Sequence, residues 1–340
     1  MRLCTRCVLP ETFPGIKFDE HGVCNHCRMA PSDERNDKGR HDAEARFAAL
    51  IREHQGRGCY DVVVGYSGGK DSTYSLKVFK EHGLRTLAVT YDNGFLPDGT
   101  LRNIRNVVEH LGIDHQLVKP RFDVLSKVFR RAAEKPLFGA KAAERAADMC
   151  TACIAFVKFG ILRLAIEMEV PFIGYGWSPG QIPLSAAIVK NNPEIVKMTQ
   201  RQILEPLSEL FPPADLRPYF LEERHFAKPD MFPYNVSPVA FAPAYSEEMV
   251  IETVSHYGWT RPEGVDSNST NCLLNSYAIR VHKARWQFHP YVFEVAKLVR
   301  EGAMTRDEGI RKMDEVEPDA TVRMVEKRLG GAQGATGAGI

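Results

Sequence analysis

Two sets of residues in this 340-residue chain could do chemistry: a short run rich in serine and glycine, and eight cysteines, most of them in Cys-x-x-Cys pairs. The run is Ser67-Gly68-Gly69-Lys70-Asp71-Ser72. Its glycines let backbone N–H groups approach phosphate oxygens, and a helix starting there adds the partial positive charge of its N-terminus. Lys70 supplies a full charge, and Ser67 and Ser72 can donate further hydrogen bonds. Asp71 would repel bare phosphate. It makes sense as a helix cap or as a ligand of a magnesium ion that bridges phosphates. The spacing is not that of a Walker A loop, which needs four residues between its first glycine and the Gly-Lys pair.

Cys4-x-x-Cys7 and Cys24-x-x-Cys27 stand 16 residues apart, with glycines near the turns. Four thiolates so spaced are in tetrahedral reach of one zinc ion, which would fold a segment too poor in apolar residues to build a core. Reduced thiols in a metal-free loop, or His26 in place of one thiolate, are the alternatives. A third pair, Cys150-x-x-Cys153, opens an apolar helix, whose N-terminus would lower a thiol pKa. Together with Cys272, in the polar patch Asn268 to Asn275, it could ligate three irons of a 4Fe-4S cluster and leave the fourth open. A second zinc site with a nearby histidine, or partly buried thiols without metal, remain open. Cys59 has no partner in spacing and reads as a buried thiol.

These residues need a scaffold. Asp61 to Tyr66 (DVVVGY), Thr86 to Tyr91 (TLAVTY), His115 to Lys119 and Pro171 to Gly176 (PFIGYG) read as strands. Helices are expected near Asp42 to His54, Asp71 to His82, Leu101 to Leu111 and Cys153 to Glu167. Strands alternating with helices specify an α/β fold with a doubly wound parallel sheet. Ligands of such sheets bind at the carboxyl ends of the strands, so Ser67 to Ser72, Asp92 to Phe95 and Trp177 to Gln181 should crowd one rim. Prolines and aromatics interrupt every period from Gln202 to Ala244, which reads as an irregular excursion over the site or a surface insertion. Helical patterns return at Ser246 to Tyr257, Ala278 to Glu301 and Thr305 to Val316. The expected division is a zinc-binding knob (1–30), a linker and helix (31–58), a nucleotide-binding domain (59–200), an irregular cover with a helical C-terminal region (201–329) and a disordered Gly/Ala-rich tail (330–340).

The formal net charge is +1, so no global positive field draws in nucleic acid, and a small-molecule substrate is favoured. A local patch of Arg280, His282, Lys283 and Arg285 could still meet RNA phosphate, or could be a solvated helix face. No run approaches 18 uninterrupted apolar residues and no secretory leader is legible, so a cytoplasmic protein without membrane contact, with reduced cysteines, is expected.

The loop resembles the SGGxDS motif of the PP-loop family (adenine nucleotide alpha hydrolase-like), whose members split ATP between its α and β phosphates. That resemblance implies a catalytic set of Lys70, Asp71 and Ser72, ATP contacts from Ser67, Gly68 and Gly69, and nucleoside contacts from Thr90, Asp92 and Asn93. Further segments resemble the N-acetyl sugar amidotransferases: Cys4 to Ile16, Phe18-Asp19, Gly22 to Cys27, Tyr66 to Ser75, the Cys150-Cys153 pair, Gly174 to Gln181, His256 to Trp259 and Val299 to Glu308. Residues 182 to 250 and the Asn268 to Asn275 patch fit that family only loosely. The resemblance implies ATP, Mg2+ and Zn2+, a nucleotide-linked acetamido sugar whose amide oxygen is adenylated and replaced by nitrogen, and partner glutaminase and ammonia-channel subunits. Cys150, Cys153 and Cys272 are also similar to the tRNA thiolation branch of the PP-loop family, which implies a rival activity: sulfur carried by a 4Fe-4S cluster to tRNA or a small molecule. A third possibility is an ATP-sensing subunit without catalysis, against which the intact Lys70-Asp71-Ser72 argues.

Overall fold

The computed structural model describes residues 1–30, 33–243 and 245–330. Its centre is a six-stranded sheet in the order β3-β2-β1-β4-β6-β5. The strands are β1 (Val62–Gly65), β2 (Thr86–Tyr91), β3 (Asp114–Val118), β4 (Phe172–Gly174), β5 (Ile188–Lys190) and β6 (Tyr234–Val236). All pairings are parallel except β5 with β6, which is antiparallel at one edge. The Val-rich β1 is buried on both faces, as a central parallel strand must be.

The longer helices in chain order are α1 (Asp33–His54), α2 (Lys70–Glu81), α3 (Asp98–Leu111), α4 (Phe122–Glu134), α5 (Asp148–Glu167), α6 (Pro193–Ser208), α7 (Glu247–Ser255), α8 (Leu274–Trp286), α9 (Val292–Arg300), α10 (Arg306–Asp314) and α11 (Asp319–Arg328). One core lies between the sheet and α4, α5 and α8, with Phe129, Phe156 and Ile173 in it; the other lies under α1, α2, α3 and α7, with Phe47, Phe79 and Phe172. Each such side chain contributes about 1.5–3 kcal/mol by leaving water. α5 is long and apolar enough to cross a membrane, yet about half of it is buried in this core. It is the central helix of an α/β layer.

Several expectations change. Helix α1 begins at Asp33, so most of the supposed linker is helical. The supposed irregular stretch opens inside α6 and holds its C-terminal part up to Ser208; Asn192 caps that helix through the Glu194 and Ile195 amides, with Pro193 in the first turn. That stretch also supplies β6, so the sheet does not end at residue 200. The single helix expected over 278–301 is two, α8 and α9, broken where Gln287 turns left-handed (φ 60°) ahead of Pro290. Cys59 is exposed rather than buried. Apart from Gly330, the Gly/Ala-rich tail lies outside the described residues.

The knob packs on the C-terminal helices. Phe13 stacks on Phe293 at 5.5 Å between ring centroids and meets Phe288 edge-on at 5.3 Å. Val8 and Leu9 join Val292, Val295 and Ala296 of α9 in a small separate core.

Candidate active site

The strand order reverses at β1, which pairs with β2 on one side and β4 on the other. The loops leaving β1 and β4 therefore part, and the crevice between them is the ligand position of such sheets. A cavity of about 270 Å³ opens there.

Its floor is the loop from Ser67 to Ser72, between β1 and α2. Gly68 has φ 76°, and a Cβ there would stand 2.8 Å from the Thr100 and Ile104 side chains, so only glycine fits. The Ser67 and Ser72 hydroxyls lie 3.1 Å apart, and Ser72 donates to the Gly69 carbonyl at 3.0 Å. Lys70 Nζ pairs with Asp71 Oδ2 at 2.7 Å. Burial works against the Lys70 charge, but Asp71, Glu247 and Glu294 outweigh it and hold its pKa above the usual lysine value. The other carboxylate oxygen, Asp71 Oδ1, is buried with no hydrogen-bond partner among the described residues. An anionic oxygen left so beside a phosphate loop suits a magnesium ion.

Thr270 and Asn271 cover the loop. A Cβ on Gly69 would come within 3.3 Å of Thr270 Oγ1 and 3.4 Å of Asn271 Oδ1. Thr100 Oγ1 donates to the Asn271 carbonyl at 3.3 Å, and the Leu273 amide donates to the Phe95 carbonyl at 3.0 Å, so the 268–273 segment is fixed to the rim.

Cys150, Cys153 and Cys272 line this same cavity. Asn93 Nδ2 stands 3.4 Å from both the Cys153 and Cys272 sulfurs, and Cys150 Sγ faces Asn275 Oδ1 at 3.7 Å. Tyr291 donates to that same Asn275 oxygen at 2.9 Å. Contrary to the expectation from the sequence, the helix start does not lower these thiol pKa values. Burial, and then the neighbouring cysteines, pushes Cys153 up to about 12 and Cys150 higher still; burial also raises Cys272. Such thiols stay protonated unless a metal takes the proton's place. Three sulfurs converging on one space, with an amide donor aimed at two of them, suit a cluster that spreads its thiolates over separate irons.

The remaining sequence candidates fall into two groups. Ser67, Gly69, Lys70, Asp71, Ser72 and Asn93 line the cavity. Gly68, Thr90 and Asp92 are not in its wall. Thr90 Oγ1 donates to the Tyr66 carbonyl at 2.6 Å, while Asp92 accepts the Gly94 amide at 2.8 Å and pairs with Lys119 at 3.3 Å. They shape the strand end and its turn. Sequence reasoning missed Tyr291, Tyr175 and Glu294. Burial, and then Asp71, lifts the Glu294 carboxyl to about 7, and Ser178 donates to it at 3.2 Å.

In the knob, Cys4, Cys7, Cys24 and Cys27 place their sulfurs within 4.8 Å of one another, all buried. The Cys4–Cys27 and Cys7–Cys24 separations are both 3.8 Å. A tetrahedron with metal–sulfur bonds of about 2.3 Å has edges of about 3.8 Å, so the four suit a single zinc-like ion. Arg300 reaches Cys7 Sγ at 3.9 Å and offsets thiolate charge. The basic patch on α8 is spent internally: Arg280 pairs with Asp319, Lys283 with Glu317 and Arg285 with Asp148. His282 is buried, and burial lowers its pKa to about 4.

No family model matches the chain. It is 21% identical over 314 residues to an uncharacterized protein of Methanocaldococcus jannaschii, covering 92% of both chains. It is 32% identical over 129 residues to the tRNA-specific 2-thiouridylase MnmA 1 of Caldanaerobacter subterraneus subsp. tengcongensis, spanning 34% of each. A crystal structure of a predicted subunit of tRNA methyltransferase from Methanocaldococcus jannaschii, 21% identical, overlaps 42% of this chain and 64% of that one with a TM-score of 0.27. With its loop in a strand-turn-helix setting, its mostly parallel sheet and the partial match to MnmA 1, the chain has an architecture consistent with the PP-loop proteins.

Proposed function

We propose that the protein is an ATP-splitting, AMP-forming transferase that adenylates a carbonyl or amide oxygen of an acceptor and exchanges that oxygen for sulfur. The observation that carries this reading is that the phosphate loop and the three cysteines line one cavity. The loop amides and Lys70 hold the phosphates, and Asp71 Oδ1 is the chain's ligand for magnesium. The acceptor oxygen attacks the α phosphorus, and pyrophosphate leaves against Lys70 and the N-terminus of α2. Sulfide then adds to the activated carbon, and AMP departs with the original oxygen. A cluster on Cys150, Cys153 and Cys272, when bound, supplies an open iron for that sulfide. Asn93 donates to two of the sulfurs and holds their side chains toward the cavity. The near-neutral charge and the internally paired α8 patch favour a small acceptor over tRNA. Eight cysteines without a disulfide suit a reducing compartment such as the cytoplasm.

A second reading keeps adenylation and brings in nitrogen. It is favoured by the resemblance of Cys4 to Cys27, Gly174 to Gln181 and Val299 to Glu308 to the N-acetyl sugar amidotransferases. The acceptor is then a nucleotide-linked acetamido sugar, and ammonia comes from glutaminase and channel subunits.

Protein purified without oxygen, assayed for iron, acid-labile sulfide and zinc, separates the two. About four irons per chain beyond the knob's ion support sulfur transfer. Zinc without iron supports nitrogen transfer. The same protein, given ATP, magnesium, a sulfide or ammonia source and the small-molecule fraction of a cell extract, should form AMP and pyrophosphate. Formation only with an RNA fraction would overturn the small acceptor, and none with either would overturn adenylation.

A further inference from the structure

A second cavity, of about 320 Å³, lies beside the first and shares Ile154, Lys158 and Tyr175 with it. Helix α5 is the partition. Cys150, Cys153, Ile154 and Val157 face the nucleotide side, while Thr151, Ile154, Ala155, Phe159 and Leu162, at helical spacings of three, four and seven, face the other. Helix α6 closes the far wall with Ile195, Val196 and Ile203.

Most of this wall is apolar, and its polar groups are few and fixed. Asn191 and Asn235 exchange hydrogen bonds reciprocally at 3.0 Å, and Asn191 also donates to the Pro233 carbonyl at 2.8 Å. Among the described residues Asn235 Nδ2 makes one hydrogen bond, which leaves its second N–H for a ligand. Lys158 stands in the shared wall with no ion pair among the described residues, and burial lowers its pKa, so an anion bound beside it would restore its charge. An apolar chamber with an amide at one end and an unpaired cation at its throat has the make-up of a small-molecule site, in the usual size range.

We infer that this second cavity is the acceptor site, and that it takes a small molecule with an apolar body and an anionic group held by Lys158. The inference rests on the transferase reading for the word acceptor, but the site's chemistry can be tested without ATP. A ligand lying between α5 and α6 would bring its reactive carbonyl past Tyr175 to the nucleotide cavity, on the same helix that carries Cys150 and Cys153. A nucleotide-linked sugar would present its anion but not the apolar body. A carboxylate and a phosphate ester both meet the requirement at Lys158.

The test uses two fluorescent probes that differ only by the anion: anilinonaphthalene sulfonate and its neutral counterpart phenylnaphthylamine. The sulfonate should bind wild-type protein saturably and about tenfold more tightly than the neutral probe. Lys158→Gln should remove that preference and leave the neutral probe unchanged. Ala155→Trp fills the chamber and should weaken both probes about tenfold or more. Should that variant fold poorly, Ile195→Trp, at an exposed position on the rim, does the same from outside. Both tryptophan variants should keep the affinity for a fluorescent ATP analogue within about twofold, since neither position lines the nucleotide cavity. Equal binding of the sulfonate to wild type and all three variants, or no saturable binding to wild type, overturns the inference. Loss of ATP-analogue binding in wild type instead overturns the transferase reading and leaves the cavity result standing.

Discussion

The indole Nε1 of Trp259 donates to the backbone carbonyl of Gly68 at 3.0 Å, across 191 positions of sequence. The ring is buried, and it fixes from above the one loop residue whose backbone only glycine can adopt.

Trp259→Phe keeps an aromatic ring but deletes the donor and part of the buried volume, leaving a buried carbonyl unpaired. The expected cost is about 1–3 kcal/mol in chemical denaturation. ATP affinity should fall by about tenfold, measured by calorimetry, because the loop amides lose their fixed aim. An unchanged affinity would show that the loop holds its shape without the indole.

Asp71→Asn removes the charge on the unpartnered oxygen and half of the Lys70 pair. Formation of AMP and pyrophosphate should drop by about 100-fold or more, while ATP binding without magnesium changes little. A variant that loses metal-free binding instead would assign Asp71 to shaping the loop.

Glu294 gives a pH dependence whose sign is fixed. Burial first, and then Asp71, raises its pKa from 4.5 to about 7 in the folded protein. Its contribution to stability is therefore full below about 4.5 and lost as pH rises through about 7. Glu294→Gln, always neutral, should gain on wild type by on the order of 2 kcal/mol between about pH 5 and pH 8 in denaturation curves. A gap that does not open with pH would mean that the carboxyl titrates normally.

Cys153→Ser or Cys272→Ser should lower iron and sulfide content while zinc stays constant, since the knob's sulfurs form their own set. Cys24→Ser should do the reverse, with a melting temperature lower by several degrees, because the metal's binding free energy is folding free energy for a segment with so small a core. Iron retained in Cys272→Ser would remove that residue from the proposed ligand set.

What could be read in the sequence was local. Ser67 to Ser72 shows itself because strand, turn and helix follow one another within a few residues, and the knob because its cysteines pair by spacing. Helix α6 was hidden by Pro193 and Pro206, although Asn192 ahead of Pro193 is a legible start signal. Strand β6 has three residues between prolines, too few to show a period. Thr90 and Asp92 stand outside the cavity wall and bond within the strand end and its turn, a use that a polar residue at a strand end serves as readily as a ligand. The thiol pKa values went the other way because burial of Cys150 and Cys153 outweighs a helix N-terminus, and burial is a property of the fold. The contact of Asn93 with Cys153 and Cys272 spans 60 and 179 positions, which no local pattern encodes.

The knob's dependence on α9 and α10 orders events during synthesis. Arg306 donates to the Cys4 and Cys7 carbonyls across 302 and 299 positions, and Thr12 donates to the Gln287 carbonyl across 275. Cys4 and Cys7 therefore gain these neighbours only after some 300 further residues have been made, roughly 15–60 s later at ordinary elongation rates. A chain cut short before Phe288 would present an uncovered four-cysteine knob and its bare aromatic face. Full burial of Cys4 and Cys7 thus reports that α9 and α10 have been made and have docked on the knob.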